Sequence, residues 1–76
     1  MSKTLADTAD GARVTIAKVD LDGDVASWLE AVGLSAGEEV TVLRGAILGG
    51  PLHVRTAAGG EFAVAREVAV KIGVGA

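Results

Sequence analysis

Between Ala12 and Val19 apolar and polar positions alternate, with Val14 and Ile16 on one side and Arg13 and Thr15 on the other. Successive side chains of a strand point to opposite faces, so this period of two predicts a half-buried β-strand. Asp20-Leu21-Asp22-Gly23 interrupts it, and the period then lengthens. Val25, Trp28, Leu29 and Val32 fall at i, i+3, i+4 and i+7, one stripe of an α-helix. A helix over Val25–Val32 is expected. Asp24 stands where an N-cap carboxylate would accept the free amides of the first turn. Gly33 stands where a left-handed residue would end the helix, and Leu34 follows where an apolar side chain folds back in a Schellman motif.

Downstream, Ser35-Ala36-Gly37-Glu38 reads as a turn, after which Val40 and Val42 alternate with Thr41 on a second strand. Gly45-Ala46-Ile47-Leu48-Gly49-Gly50-Pro51 has no period and is read as a loop; Pro51 lacks an amide proton and belongs at a strand start or edge. Leu52, Val54 and Thr56 then share one face of a third strand, with His53 and Arg55 on the other. Gly59-Gly60 signals a hairpin into Phe62–Val64. Arg66-Glu67-Val68-Ala69 fits one helical turn, and Val70, Ile72 and Val74 a closing strand. Upstream, Asp10-Gly11 marks a turn, and Leu5 is placed to plug one end of a core. The sum is a mainly β single domain over residues 1–76: a small five-stranded barrel with one short helix between its first and second strands. Closure would remove the exposed edges that so short a chain has nothing else to cover. Val14, Ile16, Leu29, Val40, Val42, Val54, Val64 and Ile72 are expected inside.

Composition sharpens this picture. Half of the 76 residues are hydrophobic, yet Trp28 and Phe62 are the only aromatics. The core therefore rests on Val, Leu, Ile and Ala, and branching at Cβ favours pleated strands. No cysteine is present, which excludes a disulfide scaffold and any thiolate metal site. Met1-Ser2-Lys3-Thr4 leads into polar residues rather than an apolar signal segment, and no window approaches the roughly 18 apolar residues of a spanning helix. A cytoplasmic chain is expected. Ten acidic residues against seven basic ones give a net charge of −3, and the basic residues are dispersed along the chain. Nucleic-acid binding, which calls for a basic patch and for aromatics on which bases stack, is not expected.

Taken in order, several segments form a series: Leu29, Val32-Gly33-Leu34 and Gly37 followed by Val40 and Val42; Ala46, Leu48-Gly49 and Pro51; Phe62-Ala63-Val64; and Ala69, Ile72 and Val74. With Leu5 and Gly11 at the beginning, this series resembles the FeoA family. That family has a helix ending in an apolar-Gly-Leu triplet and a loop reading Ala-Pro-Leu-Gly-x-Pro. The chain departs from it at Ile47, which replaces the first proline, at Ala36, where proline is usual, and at Ala65, where arginine is frequent. Its helix segment Val25-Ala26-Ser27-Trp28-Leu29 also lacks the basic residues common there. The resemblance implies an SH3-like barrel in the cytoplasm that supports ferrous-iron uptake without catalysis of its own. It acts beside FeoB, a membrane permease with a G-protein domain, and is recruited to the inner face of the plasma membrane. The same domain type ends iron-dependent repressors, so a metal-responsive regulatory domain is the alternative; no helix-turn-helix precedes this one.

No catalytic constellation accompanies the pattern. A Ser-His-Asp arrangement would need Ser2, Ser27 or Ser35 to meet the single His53, and the Gly45–Gly50 run lacks the Lys-Ser/Thr ending of a phosphate-binding loop. No cofactor is expected. His53 is a weak metal candidate, exposed by strand parity, and a solvated strand residue is its ordinary reading. Asp20, Asp22 and Asp24 flank Gly23 like a fragment of a calcium loop, but the full spacing and closing Glu are missing, and turn and capping roles explain them. Trp28 either lids the core or joins Ile47 and Leu48 in an apolar contact surface, tryptophan being enriched at interface hot spots. Such a surface would take a protein partner or a second copy in weak self-association.

Overall fold

The computed structural model describes residues 3–45 and 49–75. Six strands, β1 (Lys3–Thr4), β2 (Arg13–Val19), β3 (Glu39–Arg44), β4 (Leu52–Thr56), β5 (Glu61–Val64) and β6 (Ile72–Gly75), form one sheet in the order β1-β6-β2-β3-β4-β5. Every neighbouring pair is antiparallel. Helix α1 (Gly23–Val32) lies between β2 and β3, and the four-residue α2 (Arg66–Ala69) between β5 and β6. No ladder among the described residues joins the outermost strands β1 and β5.

The strand count is six where alternation gave five. Lys3 and Thr4 are too few to show a period, and only their pairing with Val74 and Gly73 of β6 makes them a strand. A 3-10 turn over Leu5–Asp7 then drops Leu5 into the core, where it is fully buried. Two ladders carry bulges, one between Ile16 and Lys18 on β2 and one between Val42 and Arg44 on β3. A bulge bends and twists its strand, and so short a sheet needs that curvature to wrap a core.

Parity placed the interior correctly. Ile16, Leu29, Val40, Val42, Val54, Val64 and Ile72 are buried, joined by Leu5, Leu34, Leu52 and Ala69, while Val14 is half-buried against this cluster. Thr56, on the inner face with Leu52 and Val54, is buried too. Val70 is corrected: it follows α2 in a turn, ahead of β6, and is 41% exposed. In the β4–β5 hairpin the Gly59 amide donates to the Thr56 carbonyl at 2.9 Å and the Thr56 amide to Gly60 at 2.8 Å. With Gly59 at φ 94°, this is a three-residue loop closed by a left-handed bulge residue.

The N-terminus of α1 also differs from expectation. Asp22, not Asp24, is the N-cap residue, and its side chain makes no capping bond; Asp24 lies within the first helical turn. There its negative charge still complements the helix dipole. The C-terminus is as the sequence indicates. Gly33 has φ 90°, its amide donates to the Glu30 carbonyl at 3.2 Å, and the Leu34 amide donates to the Leu29 carbonyl at 2.8 Å. These are the two bonds of a Schellman motif.

Truncating the centre of this core is costly because the surroundings relax only partly around the void. Val54→Ala or Ile72→Ala is expected to lose about 2–4 kcal/mol in urea unfolding, a large share of a small domain's stability. At Gly33 an added Cβ would meet Thr56 at an ordinary 3.7 Å, so Gly33→Ala suffers only from its left-handed backbone. That substitution should lose about 1–2 kcal/mol with the fold retained.

Candidate functional site

Helix α1 meets the core through Leu29, fully buried, and Val32, half-buried and packed against the same cluster. This orientation rotates the apolar stripe, so its other members face outward. Val25, expected on the buried stripe, is 41% exposed, and Trp28 is 43% exposed. At i and i+3 they are neighbours on one helix face. Trp28 meets Phe62 edge to face, with ring centroids 6.1 Å apart and planes at 85°. Such pairs contribute about 0.5–1.5 kcal/mol beyond the area they bury.

Phe62 is the residue that sequence reasoning did not connect to Trp28, although the two are the chain's only aromatics. It sits on β5 opposite Val54, so it bridges the core and the exposed indole. Gly60 makes room for it: a Cβ there would stand 2.9 Å from Phe62 Cε2 and 3.1 Å from Cζ. The result is a tryptophan fixed at one edge by a packed ring and open to solvent on the remainder. Ile47 and Leu48, the other expected contact residues, lie outside the described residues. Just before them the Gly45 amide donates to Asp10 Oδ1 at 2.6 Å, which ties this end of the loop to the Asp10-Gly11 turn.

His53 is exposed on β4, opposite Ala63 of β5. Among the described residues no three His, Cys, Asp or Glu side chains gather as a metal site would require. Asp20, Asp22 and Asp24 are all exposed. Two strand positions on from His53, Arg55 Nη2 donates to Glu61 Oε2 at 3.1 Å across the ladder. Both side chains are half-exposed or more, so this ion pair contributes about 0–1 kcal/mol. The basic residues are less dispersed than the sequence indicated: Lys3, Lys18 and Lys71 line one cleft on the β1–β6–β2 part of the molecule. Positions so far apart in the chain give no local signal of this; antiparallel pairing of β6 with β1 and β2 creates it.

The FeoA domain family matches residues 3–75. Among solved structures, the FeoA protein of Chlorobium tepidum is 29% identical, with a TM-score of 0.85 over 95% of this chain and 68% of that one. A FeoA of Stenotrophomonas maltophilia in complex with zinc is 27% identical, with a TM-score of 0.79 over 96% and 89% of the two chains. It is described as a prokaryotic SH3-domain protein and suggested as a bacterial ferrous-iron transport activating factor. A manganese-dependent transcriptional repressor shares the fold with a TM-score of 0.85 at 23% identity; this chain spans 36% of its length. No match was found among curated proteins.

Two outcomes follow from this geometry. Gly60→Ala should push the flexible end of the Phe62 ring away from the indole. Trp28 is the single tryptophan, so its emission maximum should move to longer wavelength while stability changes by no more than about 1 kcal/mol; an unchanged spectrum would contradict the packing described. Titration calorimetry with ferrous iron or zinc should show weak, carboxylate-type binding only, since one imidazole and no thiolate are available. A stoichiometric, sub-micromolar site lost in His53→Ala would overturn that expectation.

Proposed function

Since the chain belongs to the FeoA domain family, which is linked to ferrous-iron transport, we propose that it is a non-catalytic interaction module acting on the cytosolic G-protein domain of a FeoB-type permease. The observation that carries this reading is Trp28, 43% exposed and braced against Phe62. A rigid, half-open aromatic beside the exposed Val25 is ready to bury apolar area without ordering a mobile side chain. The helix offers no base at this surface, and the chain carries a net charge of −3, so long-range attraction to an acidic partner is weak. Affinity then comes chiefly from desolvated contact, to which Ile47 and Leu48 of the segment between β3 and β4 add. In this reading the chain works at the inner face of the membrane as a recruited protein; none of its described helices is long and apolar enough to cross a bilayer.

A metal-responsive regulatory role is the second reading, favoured only by the fold shared with the manganese-dependent repressor. Metal-dependent oligomerisation in the absence of the permease domain would support it over the first.

Binding of a FeoB cytosolic domain to wild type, Trp28→Ala and Leu48→Ala, each first shown to be folded, tests the proposal. Losing a hot-spot side chain should weaken binding about thirtyfold, roughly 2 kcal/mol. Added salt should change affinity little, because screening acts on exposed charges and not on buried apolar contact. If affinity collapses with salt while both variants bind like wild type, the interface is electrostatic and lies elsewhere.

A further inference from the structure

All three lysines of the chain, Lys3, Lys18 and Lys71, line a single cleft of about 680 Å³, with Asp20 the sole acid among the described residues that line it. In a chain whose acids outnumber its bases, this is a local reversal of charge. Among the described residues none of the three lysines forms an ion pair, and Asp20 forms none either. The cleft has an apolar floor: Val14, Ala17 and Val74 line it together with Val70, which is 41% exposed.

Its shape follows from the strands. Gly73 and Gly75 share one face of β6. A Cβ at Gly75 would meet nothing within 4 Å, whereas one at Gly73 would touch Lys18 at an ordinary 3.7 Å, so glycine leaves open space at Gly75 and lets Lys18 pack close at Gly73. On β2 the bulge between Ile16 and Lys18 brings Ala17 and Lys18 to the same cleft, consecutive residues that a regular strand would point to opposite faces. At one end the Asp20 amide donates to the Lys71 carbonyl at 2.8 Å, which ties the backbone of the third lysine to the end of β2.

We propose that this cleft binds an extended acidic segment of a partner protein, one in which carboxylates alternate with small apolar side chains. Lysines on flexible stems are point charges suited to carboxylates at several positions, and the valine floor takes the side chains between them. Bidentate recognition of phosphate and stacking of a base, which a nucleotide or nucleic acid would use, find no group among the described lining residues. All four arginines, with their bidentate forks, lie outside the cleft, and so do both aromatics on which a base would stack. The site is separate from the Trp28 surface: Phe62, which braces Trp28, is on β5, at the other end of the strand order from β1 and β6.

The test titrates the full chain into a labelled, end-blocked peptide of about eight residues alternating glutamate and valine. At about 3.3 Å per residue it can cross the 23 Å short dimension of the molecule. Measurements at low and at about 1 M salt compare wild type with Lys18→Gln/Lys71→Gln, Val70→Ser and, as a control on another face, Arg55→Gln. The paired lysine substitution should weaken binding about tenfold at low salt and flatten its salt dependence. Val70→Ser should weaken it severalfold with the salt dependence intact, and Arg55→Gln should leave it unchanged. Peptide binding that is the same in all variants, or absent up to about 1 mM, overturns the proposal. Equal affinity for inorganic tripolyphosphate would make the cleft a bare anion site. Retention on phosphatidylglycerol vesicles without peptide binding would make it a membrane-facing patch. Either result also overturns the proposal.

Discussion

Gly33 turns the backbone through a left-handed conformation, φ 90°, and the Leu34 amide closes back on the Leu29 carbonyl at 2.8 Å. The two leucines so linked are both fully buried, one in the last turn of α1 and the other just beyond it. That bond fixes the helix end on the sheet, and with it the rotation of the helix about its own axis. Because Leu29 faces the core, Trp28 one residue earlier must stand about 100° away, at the rim. Phe62 then receives the indole edge, and Gly60 gives Phe62 the space to do so. The exposure of Trp28 is thus a consequence of how α1 stops.

The two ends of the sheet are built differently. Towards β5 the core continues outward through Phe62 to the indole, so an aromatic side chain stands at the outer surface there. Towards β1 and β6 the strands carry glycine where side chains would fill the sheet face, and lysines stand at the border of the space left. The first end favours binding by desolvation, the second by charge over an apolar floor. In the proposed reading the chain holds two contacts of different chemistry on one small sheet, which fits the link of its family to ferrous-iron transport.

Much of the fold was legible in the sequence because it depends on local periodicity. Parity assigned Ile16, Val40, Val42, Val54, Val64 and Ile72 to the interior, and the Val32-Gly33-Leu34 triplet gave the helix stop with its bonding pattern. Features that depend on partners distant in the chain were not legible. Lys3–Thr4 becomes a strand only through β6, and Val70 leaves the final strand because α2 and its following turn consume it. The helix begins two residues earlier than its apolar stripe, at Gly23, because its first residues, Gly23 and Asp24, carry no hydrophobic signal. Trp28 was singled out by type and position, whereas Phe62 beside it and the gathering of the lysines arise from topology alone. Ile47 and Leu48 lie outside the described residues and stand on their apolar character and their place in the loop sequence.

In the proposed function α1, seated by Leu29 and Leu34, presents Trp28 as the point of contact with the permease domain. Cross-saturation NMR on the complex addresses it without altering either protein. With a protonated FeoB cytosolic domain irradiated and this chain otherwise deuterated, transfer should be strongest at the Trp28 indole and at Val25. Transfer concentrated at His53 and Arg55 on the outer face of β4, with the indole silent, would contradict the account.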